Sequence, residues 1–225
     1  MISRLFSGIL RIFFYLLYHQ FAWSYDWVAN LVSIGRWQTW VFSVIPYLGG
    51  RRVLELGCGP GQLLVKYASM GGEIYGLDAS PQMLRLARRN LSKSNHRTNL
   101  LHSSAEDLPF PNNSFPVIVA TFPTNYVFEI ETLEQVWRVL DPNGQLVILL
   151  AAWITGDNYL DKLAAWLFRV TGESPQQDWD QVETRYAQQL SRLSQVGYQV
   201  NHQVVNAERS KLLIIRAAKI DGLLQ

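Results

Sequence analysis

The sequence predicts an α/β fold in which a mostly parallel sheet carries helices on both faces. Three observations predict it. Short apolar runs alternate with helical stretches from residue 52 to residue 150, the order that parallel strands joined by crossover helices produce. Turn formers punctuate the junctions, as at Gly49-Gly50, Gly71-Gly72 and Asp141-Pro142-Asn143-Gly144. Two late apolar runs, Tyr198–Val205 and Lys211–Ala217, lie too close together for a crossover helix and read as an antiparallel pair at the sheet edge.

Each element follows from its local residues. Arg52-Val53-Leu54-Glu55-Leu56 is a short apolar run that ends in glycines, the mark of a buried strand entering a turn. Residues 61–70 then read as a helix closed by Gly71-Gly72. Ile74-Tyr75-Gly76-Leu77 is a second strand. Ser80 suits a helix N-cap with Pro81 at the first helical position, and that helix runs to about Ser94. Thr98–His102 and Val117–Thr121 are the third and fourth strands, separated by the turn-rich loop 108–114. Ile130–Leu140 is a helix, and Gln145–Leu150 the fifth strand. Helical stretches are expected near Tyr159–Val170 and Gln181–Ser194.

Composition bounds the rest. A chain of 225 residues fits one large domain, and 48% hydrophobic residues are enough for a sizeable core. Twenty basic and eighteen acidic residues leave a net charge of +2, too even to point to a nucleic-acid partner. The single cysteine, Cys58, excludes an internal disulfide and a cysteine metal cluster, so a cytoplasmic, reducing setting is the simplest expectation. No metal site is expected.

The chain divides into an aromatic-rich N-terminal helical lid over 1–48 and an α/β domain over 49–220. Trp23, Trp27, Trp37 and Trp40 lie in the first part, closed by Pro46 and Gly49-Gly50. Leu5–Leu17 is dense in Leu, Ile and Phe but shorter than the roughly 20 apolar residues of a spanning helix. Arg4, Ser7, Gly8, Arg11, Tyr15 and His19 recur at helical spacing as a narrow polar stripe. Two readings stand side by side. Residues 1–18 pack on the domain or a second subunit, or they lie in a membrane interface with both arginines towards the headgroups.

The densest functional signal is Val53-Leu54-Glu55-Leu56-Gly57-Cys58-Gly59-Pro60-Gly61-Gln62. A strand that turns at once into a helix needs glycine where the backbone takes unusual angles or where a ligand touches it. Gly57, Gly59 and Gly61 supply three such positions. A dinucleotide fingerprint wants its third glycine one place later, where this chain has Gln62. Asp78 ends the second strand, 21 residues beyond Gly57, where a carboxylate can accept hydrogen bonds from both hydroxyls of a ribose. The competing role for Asp78 is a helix cap beside Ser80-Pro81.

These segments, with Ile74–Ser80, Ser104–Phe115 and Leu140–Ile148, resemble the class I S-adenosylmethionine-dependent methyltransferases. The likeness is greatest to the methyltransferase type 11 branch, which includes the ubiquinone/menaquinone-biosynthesis C-methyltransferases. It covers roughly residues 20–220. It implies a Rossmann-like sheet of seven strands with the last antiparallel, and S-adenosylmethionine as cofactor. The aromatic Trp23, Trp27 and Trp37 and the apolar N-terminus add the expectation of a small, apolar acceptor of the quinone-precursor, phenol or lipid type. By the same resemblance Glu55 and the backbone of Gly57, Cys58, Gly59 and Gly61 hold the methionine part, and Asp78 binds the ribose. Ala79 and Met83 flank the adenine, Ser104 and Ala105 meet its edge, and Thr121 lines the methionine end.

Two residues depart from the family pattern. Many relatives carry Asp where this chain has Ser104, so the adenine amine either loses an acceptor or finds it in Glu106. Many also carry Asp where this chain has Pro116. Both departures bear on affinity rather than on reaction type.

Methyl transfer from a sulfonium asks the protein mainly to align an acceptor and exclude water. That fits the lack of zinc-ligand spacing, nucleophile elbow or P-loop lysine. His19, His96, His102 and His202 are scattered and read as surface or packing residues. A weakly acidic acceptor still calls for a base. Tyr25, beside Asp26, resembles a tyrosine–aspartate pair of the quinone-methylating relatives, and is otherwise a buried tyrosine next to a helix cap. Tyr126, beside Asn125, follows the fourth strand and either contacts the acceptor or closes the loop. Three other readings compete. One is an S-adenosylmethionine-binding protein without turnover. Another is an NAD(P)-dependent dehydrogenase, disfavoured by Gln62. The last is a nucleic-acid methylase, which would place an Asn/Asp-Pro-Pro-aromatic run where this chain has Thr121-Phe122-Pro123-Thr124. An apolar acceptor suits an enzyme resting at the inner face of a membrane.

Overall fold

A computed structural model describes Ser33 and residues 35–50, 52–96, 98–156 and 182–219. Tyr25, residues 1–18 and the helix expected near Tyr159–Val170 lie outside the described residues. In chain order the elements are α1 Trp37–Phe42, a 3-10 turn Ile45–Tyr47, β1 Val53–Leu56, α2 Gln62–Ser69, β2 Ile74–Asp78 and α3 Pro81–Lys93. There follow β3 Asn99–His102, β4 Phe115–Thr121, a 3-10 turn Asn125–Phe128, α4 Ile130–Val139, β5 Leu140–Ile154, α5 Val182–Gln195, β6 Gln199–Ala207 and β7 Ser210–Ala218.

The strands form one seven-stranded sheet in the order β3-β2-β1-β4-β5-β7-β6. β1 pairs parallel with β2 on one side and β4 on the other, Val53 standing opposite both Ile74 and Val117. β7 runs antiparallel to β5 and to β6, so the last strand is the reversed one. The chain fills the sheet outward from β1 in one direction and then from β4 in the other. That reversal leaves a crevice at the carboxyl ends of β1 and β4, where ligands of open α/β sheets bind.

Side-chain alternation builds two layers. Val53, Val117, Val119, Val147 and Leu149 face α1, α2 and α3, and pack with Trp40, Val44, Leu64 and Leu84. Leu54, Leu56, Ile118, Ala120, Leu146 and Ile148 face the other way, against Leu133 and Val136 of α4 and Leu193 of α5. Both layers are apolar because the central strands are buried on both faces. Glu55 shares the parity of Val53, so its carboxylate enters the first layer.

Two boundaries differ instructively from the sequence expectation. β5 runs from Leu140 to Ile154, well past Gln145–Leu150, because antiparallel β7 pairs along its far half, from Gln145–Ala218 to Ile154–Ser210. The expected turn 141–144 sits inside that span as an interruption of the ladder. Phe115 pairs with Leu140 and Val117 with Gln145, so residues 141–144 bulge opposite Pro116. Pro116 has no N–H to give the ladder, and Asn143 takes φ +60° at the apex. The cap of α3 is as expected: the Ser80 hydroxyl accepts the Met83 N–H at 3.3 Å.

Candidate functional site

The glycine loop leaves β1 at the crevice. Gly57, Gly59 and Gly61 all lie in the left-handed region, at φ +64°, +52° and +79°. Side chains there would be strained. Gly57 is also crowded: a Cβ on it would stand 2.5 Å from the Tyr126 hydroxyl oxygen, which comes from the 3-10 turn after β4. Gly61 precedes α2 and lies close to Ala87 of α3, so helix and loop pack without a side chain between them.

Asp78 ties the loop to the next strand. Its Oδ2 accepts the Gly59 N–H at 2.8 Å and its Oδ1 accepts the Ser80 N–H at 2.7 Å. Each oxygen keeps a second lone pair for a ligand. Burial raises the Asp78 pKa, opposed by these two N–H groups and by His102. The helix cap is Ser80, so Asp78 braces the loop and is not the side-chain cap of α3.

Glu55 is the least ordinary residue of the site. It is only 2% exposed. Its Oε1 accepts the Thr121 hydroxyl at 3.3 Å, across from β4. Its Oε2 is buried without a hydrogen-bond partner among the described residues. Desolvation holds its pKa well above the usual carboxylate range, the Thr121 hydrogen bond opposes this, and the charge of Asp78 adds to it. Cys58 is buried and free, and its thiol is pushed up by burial and then by Glu55 and Asp78. A thiol so held stays protonated and is a poor nucleophile.

The remaining predicted residues spread along the same edge. Ala79 is exposed, its carbonyl 3.0 Å from the His102 Nε2. Met83 is buried beneath the start of α3 at 1% exposure. Ser104 is exposed and its hydroxyl accepts the Glu106 N–H at 3.3 Å, while Ala105 is buried. The described residues thus bring Glu55, the loop, Asp78, Thr121 and Tyr126 together.

The sequence puts Phe122 in the segment after the fourth strand but assigns it no role. It follows Thr121 with φ +47°, an outlier for a bulky residue. Its ring stacks on Trp37 at 4.7 Å and lies 6.2 Å from Trp40. The α1 tryptophans therefore pack on the backbone turn that follows β4. Only the position after the fourth strand signalled this in the sequence. Among the described residues no group of His, Cys, Asp and Glu could hold a metal ion.

The comparisons with known proteins agree with this geometry. Residues 53–144 match the family model described as a methyltransferase domain. That span runs from the start of β1 to the bulge of β5 and contains the loop, Asp78 and Thr121. The chain is 30% identical over 145 residues to the demethylmenaquinone methyltransferase of Symbiobacterium thermophilum, covering 60% of this chain and 58% of that protein. It is 34% identical over 142 residues to the ubiquinone/menaquinone biosynthesis C-methyltransferase of Yersinia enterocolitica, covering 59% and 57%. The chain thus spans a little over half the length of these curated relatives. Among solved structures, a putative S-adenosyl-L-methionine-dependent methyltransferase from Methanococcus maripaludis superposes with TM-score 0.66 at 18% identity, over 91% of this chain and 94% of that one. A phosphoethanolamine N-methyltransferase of Haemonchus contortus with S-adenosylhomocysteine gives 0.57 at 14% identity, over 83% and 53%. The resemblance to S-adenosylmethionine-dependent methyltransferases therefore holds in sequence and in fold.

Proposed function

We propose that this protein transfers a methyl group from S-adenosylmethionine to a small, apolar acceptor of the quinone-precursor, phenol or lipid type. One observation carries the reading: a loop of three left-handed glycines, braced by Asp78, beside a buried carboxylate with an unpartnered oxygen. A buried, unpaired Oε2 is costly to leave unmet, and a cationic ligand would meet it. The donor set fits the cofactor, with Glu55 for its ammonium end, spare lone pairs on Asp78 for its ribose and a glycine backbone that lets a ligand approach the loop closely.

When bound, the cofactor supplies a methyl group already activated for displacement. The chain's part is alignment. The backbone of Gly57, Cys58, Gly59 and Gly61, its shape held by the internal bonds of the Cys58, Gly59 and Gly61 N–H groups, borders the methionine end, and Thr121 stands beside it. Ala79, Met83, Ser104 and Ala105 border the adenine position. The stacked rings of Trp37 and Phe122 put apolar surface next to Thr121, which supports an apolar acceptor. The Tyr126 hydroxyl lies over Gly57, which supports a role in orienting an acceptor hydroxyl or taking its proton. Tyr25 is the second candidate for that role.

The names of the two relatives, both quinone-type methyltransferases, favour a quinone precursor. A lipid-soluble acceptor also suits peripheral membrane contact through residues 1–18. Among the described residues no helix is long and apolar enough to cross a membrane.

The test is transfer of tritiated methyl from S-adenosylmethionine to a panel of quinols and phenols, read in the organic extract. Label in at least one acceptor, lost in Tyr126→Phe, is expected. Binding of the cofactor with no label in any acceptor would favour a non-catalytic binding protein instead.

A further inference from the structure

Glu55 and Thr121 are 66 residues apart in the chain, yet the parallel register of β1 and β4 sets them side by side. Glu55 pairs with Val119, and Thr121 is the next residue of β4 on the same face. Thr121 binds one carboxylate oxygen, and the other has no partner among the described residues. A carboxylate held by one oxygen has a fixed plane, so its second oxygen is fixed as well. A buried side chain with no such tether would rotate towards whatever dipole is nearest.

We propose that Thr121 is a positioning residue: its hydroxyl holds Oε1 of Glu55 so that Oε2 stays available to the ammonium group of the bound amino-acid end of the cofactor. The proposal rests on the reading under "Proposed function" and assigns Thr121 a task other than direct contact. Valine in its place keeps the shape and removes the donor. Serine keeps the donor.

The charge balance of the site gives the role a measurable signature. Among the described residues, the titratable groups facing Glu55 are Asp78 at the end of β2 and Cys58 in the loop. Both are acidic groups, so neither stabilises the Glu55 carboxylate. The Thr121 hydrogen bond is the contact that favours its ionised form. An ammonium ligand prefers that ionised form. Affinity therefore rises as pH rises through the titration of Glu55, and loss of Thr121 moves the rise to higher pH.

The experiment is calorimetric titration of the full chain with S-adenosylhomocysteine, which carries the same ammonium group and does not react, from pH 5.5 to pH 9. Wild type should bind. T121V should bind about tenfold more weakly at neutral pH, the scale of one hydrogen bond to a charged group, with its profile displaced to higher pH. T121S should restore both affinity and profile. Adding T121V to E55Q should cost no further affinity, which a merely structural role would not produce. Thermal melts of each variant separate misfolding from weakened binding. T121V equal to wild type in affinity and profile overturns the positioning role alone. A wild-type protein that takes up neither S-adenosylhomocysteine nor S-adenosylmethionine removes the underlying reading.

Discussion

The two ends of the sheet differ in kind. At the carboxyl ends of β1, β2 and β4, Glu55, Asp78 and Thr121 gather around a loop of left-handed glycines. At the amino ends of β2 and β3 a cavity of about 470 Å³ opens, lined by Glu73, Tyr75, Arg88, His96 and Thr98 among others. It has room for a small molecule, yet its polar groups are of an ordinary surface kind. Tyr75 donates to Glu73 at 3.0 Å, and Arg88 is exposed. The carboxyl edge instead keeps a carboxylate buried, a polar oxygen unmet and a bulky residue, Phe122, at positive φ. Open space marks one end and stored cost marks the other. Such costs persist where a site needs them.

Substitutions at the two ends should separate sharply. The largest effect is expected at Asp78. Asp78→Ala removes the acceptor for Gly59 and Ser80 along with the proposed ribose contact, so cofactor affinity should fall by roughly 1–3 kcal/mol. The same change should lower Tm, because the loop loses its brace. An unchanged dissociation constant would remove the contrast between the two ends.

Gly57→Ala should come next. The left-handed backbone costs about 1–2 kcal/mol for a residue with a Cβ, and the new methyl meets the Tyr126 hydroxyl. Tyr126→Phe in the same chain should recover part of the stability by removing that oxygen. Thermal melts of the single and double variants measure the recovery.

Glu55→Gln should stabilise the ligand-free protein at neutral and alkaline pH. The folded-state pKa of Glu55 is raised by burial, so the folded protein holds a proton that the unfolded chain releases. Its contribution is complete below the unfolded value and is lost as pH rises through the folded value. The amide carries no charge and escapes that loss. Tm should rise by about 2–4 °C for each kcal/mol recovered, and the advantage should shrink as pH falls towards the unfolded carboxylate pKa. The same substitution should weaken cofactor binding. A Tm difference that grows on acidification would contradict the burial argument.

The smallest effect belongs to the amino-end cavity. Arg88→Ala and His96→Ala should leave cofactor affinity within about twofold and stability within roughly 0.5 kcal/mol, as for surface substitutions generally. A loss of affinity comparable to that of Asp78→Ala would show that the cavity, too, belongs to the site.

Much of this was legible in the chain because glycine and carboxylate positions carry local meaning. Gly57, Gly59 and Gly61 announce a left-handed loop, since few other residues tolerate one. The strand-end place of Asp78 follows from the apolar run before it. Ser80-Pro81 announces its helix. The antiparallel edge follows from the short gap between the last two strands. What stayed hidden depends on register and on packing across distant segments. The Thr121–Glu55 bond exists because β1 and β4 pair with Glu55 opposite Val119, and no local pattern fixes that offset. The left-handed turn at Phe122 runs against its residue type and is held by the stack on Trp37. The approach of Tyr126 to Gly57 joins two loops nearly 70 residues apart. The length of β5 is set by a partner strand that follows it by more than 50 residues.

The most direct measurement is a calorimetric titration of the wild-type chain and Asp78→Ala with S-adenosylmethionine, with NADH titrated in parallel. Saturable one-to-one heat for the sulfonium nucleoside in wild type, markedly weaker in the variant and absent for NADH, is the expected result. Heat with NADH alone, or equal affinity for S-adenosylmethionine in both proteins, would contradict the assignment of the carboxyl-end crevice.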